Sequence, residues 1–236
     1  MTDRRAMRTI RKMVTPLVTR RRYVAAVTAA AALLVCAPAA FGVTSTDTSQ
    51  FSVTVGSLSF TAAPDAPNLP VLTLNGQSQT LTAAMNPFTV DDATGNGSGW
   101  NVTVNGDNAG GKSPVFKQYC PNATCGTDSG PGYVASGFTL GADSLTLSST
   151  GASFSAQNGT TGTAPTHQCA GGCFLDAVPA SPVKVVSAAS GAGMGTYATT
   201  GYGASSVSLA APSTVKALQT NEFYRVDLLW TLGSGP

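Results

Sequence analysis

The side chains of this chain best equipped for chemistry are five cysteines, a single histidine and a scatter of aspartates. Cys120-x4-Cys125 forms one close pair, and His167-x-Cys169-x3-Cys173 places a second pair beside the only imidazole. Thiolates and an imidazole grouped in this way suggest zinc, but the spacings match no familiar zinc module. The fifth cysteine, Cys36, is expected to leave with an export leader, and the even set of four that remains favours two disulfides instead, because an oxidising compartment closes paired thiols. Connectivity stays open at the level of sequence. Bridges between the pairs would close loops of roughly 45–55 residues and contribute about 4 kcal/mol each; bridges within the pairs would pin only local turns.

Hydrolytic chemistry finds little support. A triad would have to use His167, which sits beside a cysteine in a Gly-rich stretch, and there is no Gly-x-Ser-x-Gly elbow. Asp91-Asp92 is the best pair of carboxylates, yet adjacent residues of an extended segment point to opposite sides, and glycosidase chemistry needs two carboxylates facing one another. Turn formation, with the carboxylates accepting from backbone N–H groups, is their expected role. The reading is therefore of a non-enzyme with no catalytic, cofactor or metal residues.

Charge narrows the class of partner. Of 13 Lys and Arg residues, eight lie within the first 22 positions, which leaves five basic residues against ten acidic ones in the body. A body with that balance offers no basic patch for nucleic acid. The basic stretch, the apolar Tyr23–Val35 segment and the small residues Ala37-Pro38-Ala39 follow the order of a secretory signal peptide over residues 1–42, with cleavage near 39–42. A retained anchor over Val24–Val43 is the rival, but the segment is Ala-rich and interrupted by Pro38 and Gly42. No membrane span is expected after processing. Thr19-Arg20-Arg21-Arg22 also has the look of a twin-arginine signal, so both the general secretory and the twin-arginine routes are open.

The elements that position these side chains read as strands. Apolar residues alternate with Ser, Thr or Asn at Phe51/Val53/Val55, Leu72/Leu74, Trp100/Val102/Val104, Leu145/Leu147 and Val207/Leu209. A period of two between Gly, Pro, Asn and Asp clusters predicts half-buried antiparallel strands. The first strand is predicted over Phe51–Phe60 and the longest over Phe223–Leu232. Asn105–Gly137, Gln157–Gly172 and Ala188–Gly203 read as loops or edges, the first two containing or bordering the cysteines. The expected fold is all-β: an antiparallel β-sandwich, immunoglobulin-like or related, with long disulfide-stapled loops in a single domain over residues 43–236.

Two stretches carry a resemblance. Pro87–Val102 has a D-x-x-G…GW-x-V shape ending in Trp100-Asn101-Val102, and the carboxyl end carries Trp230-Thr231-Leu232. Together they resemble the WxL domain family of Gram-positive bacterial cell-surface proteins. The resemblance implies an all-β module, secreted and cell-wall associated, that binds peptidoglycan or another wall glycan non-covalently and works alongside other surface proteins. Trp100-x-Val102 departs from the family's Trp-x-Leu, and the four cysteines are not part of its pattern. No apolar tail for covalent sorting follows the last strand, in keeping with non-covalent retention.

On the residues alone, Trp100 and Val102 share one strand face, as do Trp230 and Leu232. Core packing is the favoured role of both indoles, with ligand contacts then falling to loops; an exposed sugar-stacking platform is the other reading. A different functional class also fits the composition: a structural subunit of a surface fibre or coat that self-associates.

Overall fold

The computed structural model describes residues 48–122, 125 and 131–236; the leader expected over residues 1–42 lies outside them. Strands form where β-branched and aromatic residues alternate with Ser and Thr, and Gly, Asn and Asp supply the turns between them. In chain order they are β1 Leu58–Ala62, β2 Gln79–Ala83, β3 Thr89–Asp92, β4 Trp100–Gly106, β5 Lys117–Cys120, β6 Gly132–Tyr133, β7 Leu145–Leu147 and β8 Ser153–Gln157. There follow β9 Thr166–His167, β10 Cys173–Phe174, β11 Val183–Ala188, β12 Gly195–Thr200, β13 Val207–Ala211, β14 Phe223–Arg225 and β15 Leu228–Ser234. No helix occurs among the described residues, so none there is long and apolar enough to cross a membrane.

The strands build four antiparallel sheets, ordered β1-β3-β12-β8, β10-β7-β13-β2, β15-β4-β11-β9 and β14-β5-β6. The first three pack as a β-sandwich around one apolar core within the compact unit Phe51–Pro236. Val90 of β3, Trp100, Val102 and Val104 of β4, Leu145 and Leu147 of β7, and Val207 of β13 are all buried there. Strand β11 adds two consecutive buried residues, Val185 and Val186, because a register shift between Lys184 and Val186 turns an extra side chain inward.

Several expectations are corrected. Phe51, Val53 and Val55 are exposed and precede β1, which starts only at Leu58. Leu72 and Leu74 lie outside any strand; the strand expected there begins at Gln79. Phe223–Leu232 is two strands in two sheets. Its interruption at Val226-Asp227 is fixed by Asp227, whose N–H donates to the Ser113 carbonyl and whose own carbonyl accepts from the Asp107 N–H. Ala188–Gly203, read as a loop, contains β12, an inner strand of its sheet. Gly, Ala and Thr dominate that strand, so Tyr197 alone gives it apolar weight.

Candidate functional site

The two disulfides join Cys120 to Cys125 and Cys169 to Cys173. Both bridges are therefore local, and the loops they close are too short for the larger stabilisation that cross-pair bridging would bring: about 2 kcal/mol each in the chain-entropy model. Their effect is positional. Cys120 ends β5, and Cys173 opens β10. Among the described residues no cluster of three or more His, Cys, Asp or Glu side chains could hold a metal.

Strand β4 begins where Gly99, at φ +77, turns the chain out of the preceding loop; a side chain there would collide with the Ala188 carbonyl. Trp100 is completely buried, and its indole N–H donates to the Gly193 carbonyl at 3.0 Å. Gly193 is held at φ +74, and a Cβ on it would lie 2.6 Å from the Trp100 indole nitrogen. Strand β15 pairs with β4 along its whole length, placing Trp230 opposite Val104, and Leu232 opposite Val102. The two motifs, distant in sequence, are thus neighbouring strands with their apolar side chains turned to the same core. Trp230 is only half-buried, with its ring 6.4 Å from that of Phe88. None of the four motif residues stands free on the surface.

The aspartates are engaged structurally. Asp92 accepts from the N–H and hydroxyl of Thr94, and Asp91 accepts from the Thr196 hydroxyl. Asp176, fully buried, accepts from the N–H groups of Ser144 and Leu145 and from the Ser144 hydroxyl, which fixes the start of β7.

A different face collects aromatic and basic groups, Phe223 and Arg225 exposed and Lys117, Tyr119 and Tyr133 half-buried. In the small β14-β5-β6 sheet the register sets Phe223 opposite Tyr119, and Tyr119 opposite Tyr133. Gln118 and Phe116 turn inward and are buried, so Lys117 and Tyr119 face outward with Phe223 and Arg225. The Tyr119 ring lies 5.4 Å from Phe223 at a tilt and 5.1 Å from Tyr133 edge-on. The Arg225 guanidinium sits over the Tyr119 ring, 4.7 Å from its centroid. The result is a row of three rings with a cation above the middle one, and Lys117 directly opposite Arg225.

Asp227 holds this face in place. Its carboxylate accepts from the Tyr133 hydroxyl at 2.6 Å, from the Ser113 N–H at 3.1 Å and from the Arg225 guanidinium at 2.7 Å. Burial alone would raise the Asp227 carboxyl; the bonds from Tyr133, Ser113 and Arg225 outweigh it and hold the group below its ordinary range. Burial and the bond to Asp227 push the Tyr133 phenol strongly up, so it stays a donor at all physiological pH. Behind the sheet, the Gln118 amide donates to Glu222 and its carbonyl accepts from the Phe138 N–H.

A second feature lies near His167 on β9. The imidazole stacks on Phe154 at 4.3 Å and meets Tyr202 edge-on at 5.6 Å. The open depression beside it, about 540 Å³, is lined by Thr150, Ser153, Phe154, Pro165 and His167. Burial lowers the basicity of His167, and its Nδ1 is buried with no hydrogen-bond partner among the described residues.

Sequence reasoning did not single out Tyr119, Tyr133, Phe223 or Arg225. Tyr119 and Tyr133 come from the Asn105–Gly137 stretch read as loop or edge, Phe223 and Arg225 from the far carboxyl end, and only strand register brings them together. An aromatic two places from a basic residue occurs in both Lys117-Gln118-Tyr119 and Phe223-Tyr224-Arg225, and this was the available signal. Comparison with protein-family models, curated proteins and solved structures finds no match to this chain.

Proposed function

We propose that this chain is a secreted, non-enzymatic surface module that holds bacterial cell-wall glycan non-covalently, through the outer face of the β14-β5-β6 sheet. The row Phe223, Tyr119 and Tyr133 carries the reading. Sugar rings present apolar C–H faces that pack on aromatic rings, and an aromatic strip left partly exposed at a surface marks a binding site. Arg225 lies over the middle ring and is already paired with Asp227, so Lys117, beside the row, is the cation that would meet a carboxylate of the peptidoglycan stems. The body has an excess of acidic residues, so a cationic spot of this kind stands out against its surroundings.

The resemblance to WxL domains supports the same class of ligand, though by a different route than direct contact. With Trp100 buried and Trp230 packed on Phe88, the motif strands serve to specify the sheet, and binding falls to other surfaces. Two disulfides accord with export to an oxidising compartment.

Co-sedimentation with purified peptidoglycan tests the proposal. The chain is expected to pellet with the polymer. Phe223→Ala, which removes a side chain 45% exposed, should weaken binding about tenfold or more while leaving thermal unfolding within a few degrees. Unchanged binding in a folded Phe223→Ala variant would rule this face out.

A further inference from the structure

The segment Phe51-Ser52-Val53-Thr54-Val55 has the alternation of a strand and no strand to pair with. Phe51 is 91% exposed, Val53 80% and Val55 85%, the most open run of large apolar side chains among the described residues. The reason lies in β3. Ala93, just past β3, still exchanges backbone hydrogen bonds with Gly56 and Ser57. Beyond it the chain turns away at Gly95, φ +67, which leaves nothing alongside residues 51–55. Strand β1, into which the segment runs, is itself an edge strand. An apolar, uncharged, strand-patterned arm therefore projects with its backbone groups unpaired among the described residues.

The same molecule carries a strand edge of matching character, approached by β1 but hydrogen-bonded to no described strand on its outer side. β15 is an edge strand of seven residues, with no charge, no proline and no register shift along its pairing with β4. Such devices normally protect an edge, and here they are missing. The hydrogen bonds Asp107 N–H to Asp227 and Gly235 N–H to Gly99 fix which way the backbone points. Odd-numbered residues bond to β4, so the N–H and C=O groups of Leu228, Trp230, Leu232 and Ser234 face the open side. The side chains of Leu228, Trp230 and Leu232 point to the core but are only half covered. A strand added there would satisfy those groups and lay its own alternate apolar residues over Trp230 and Leu232.

We propose that the Phe51–Val55 arm of one molecule adds as a strand beside β15 of a second copy. The arm's exposure shows that it does not serve its own edge, and arm and edge are both neutral in a body that is otherwise net acidic. The occupant of the edge is the arm of a second copy: reciprocal exchange of arms closes a two-fold dimer, and one-way addition propagates into a chain of copies. The inference is independent of glycan binding by the β14-β5-β6 face.

Sedimentation velocity over a concentration series, together with acrylamide quenching of tryptophan, provides the test on the secreted chain. The wild type is expected to self-associate as concentration rises, into dimers where arms exchange reciprocally and into longer species where they add one way. Val53→Asp, outside the folded strands, should sediment as a monomer with unchanged melting. Ser234→Pro removes one outward N–H at an exposed position and should weaken assembly at least tenfold. Trp100 is already fully buried, so Trp230 reports the edge: its quenching should fall as the wild type assembles. A synthetic peptide of residues 50–57, added to the Val53→Asp protein, should reproduce that protection. A wild type that stays monomeric throughout, a Val53→Asp variant that assembles normally, or Trp230 quenching indifferent to both assembly and peptide would each overturn the proposal.

Discussion

Trp100 and Trp230 belong to one motif pattern but to different surroundings, and the difference sets what each contributes. Trp100 fills the core completely and spends its N–H on Gly193. Trp230 covers Phe88 from an edge strand and keeps part of its ring in solvent. Trp230→Ala is therefore expected to cost about 1.5–3 kcal/mol, below the 3–5 kcal/mol typical of a fully buried aromatic. Chemical denaturation measures this, and the folded fraction should still bind wall glycan; a folded variant that has lost binding would return the indole to the ligand site. His167 makes a prediction about pH, with the sign that burial of an imidazole gives. Burial disfavours its imidazolium, and the long contact from Nε2 to the Ser153 carbonyl, 3.5 Å, offsets this only in part, so its folded pKa lies below the ordinary 6.5. As pH falls, the unfolded chain takes up the proton first. The stability tied to this group is complete above about pH 6.5 and is lost as pH drops through the folded value. Melting temperature should decline across that window, and His167→Phe, which keeps the stack on Phe154 and removes the proton site, should flatten the decline. An identical pH profile in the variant would exclude His167 as its source.

At the level of elements, the alternating runs around Trp100, Leu145 and Val207 made β4, β7 and β13 readable, because each has one face in the core and one toward polar surroundings. Legibility failed where the reason for a strand lies elsewhere in the chain. Phe51–Val55 carries the pattern of a strand and lacks a partner, since β3 turns away at Gly95. β12 carries almost no pattern, yet it is held between β3, which pairs with Gly195–Ala198, and β8, which pairs with Thr196–Thr200. The aromatic row was hidden for the same reason: register across β14, β5 and β6 is a long-range property. The cysteines were legible as disulfides, and their pairing was not, because both local and cross-pair bridges satisfy the count. Asp227 decides where Phe223–Leu232 breaks, and its role gives a prediction. Asp227→Asn removes the charge facing Arg225 and weakens the acceptor for Tyr133 and Ser113, at a cost of about 2–3 kcal/mol. The same carboxylate contributes stability that is present above its ordinary 3.8 and lost as pH falls through its lower folded value. Denaturant titration of the variant at neutral and acid pH checks both statements; a loss that does not shrink in acid would mean the ionised form is not what stabilises the junction.

For the molecule as a whole, the sandwich supplies rigidity and the small sheet supplies the face. Three sheets share one core, which buries the apolar residues of β4 and partly covers Trp230 and Leu232 of β15. The β14-β5-β6 sheet is tied to the end of β4 and the start of β15 through Asp227, Asp107 and Ser113, so the aromatic row is carried on a fixed base. A body sparse in charge and rich in Ser, Thr and Gly suits a module that works by contact with a polymer. The proposed function puts the glycan on this one face, and chemical-shift mapping with soluble peptidoglycan fragments reads that contact residue by residue. Shifts should concentrate on the amides of Lys117–Cys120, Gly132–Tyr133 and Phe223–Arg225, with Trp100 and β4 unmoved. Shifts centred on Phe154 and His167, or none at millimolar fragment, would contradict it.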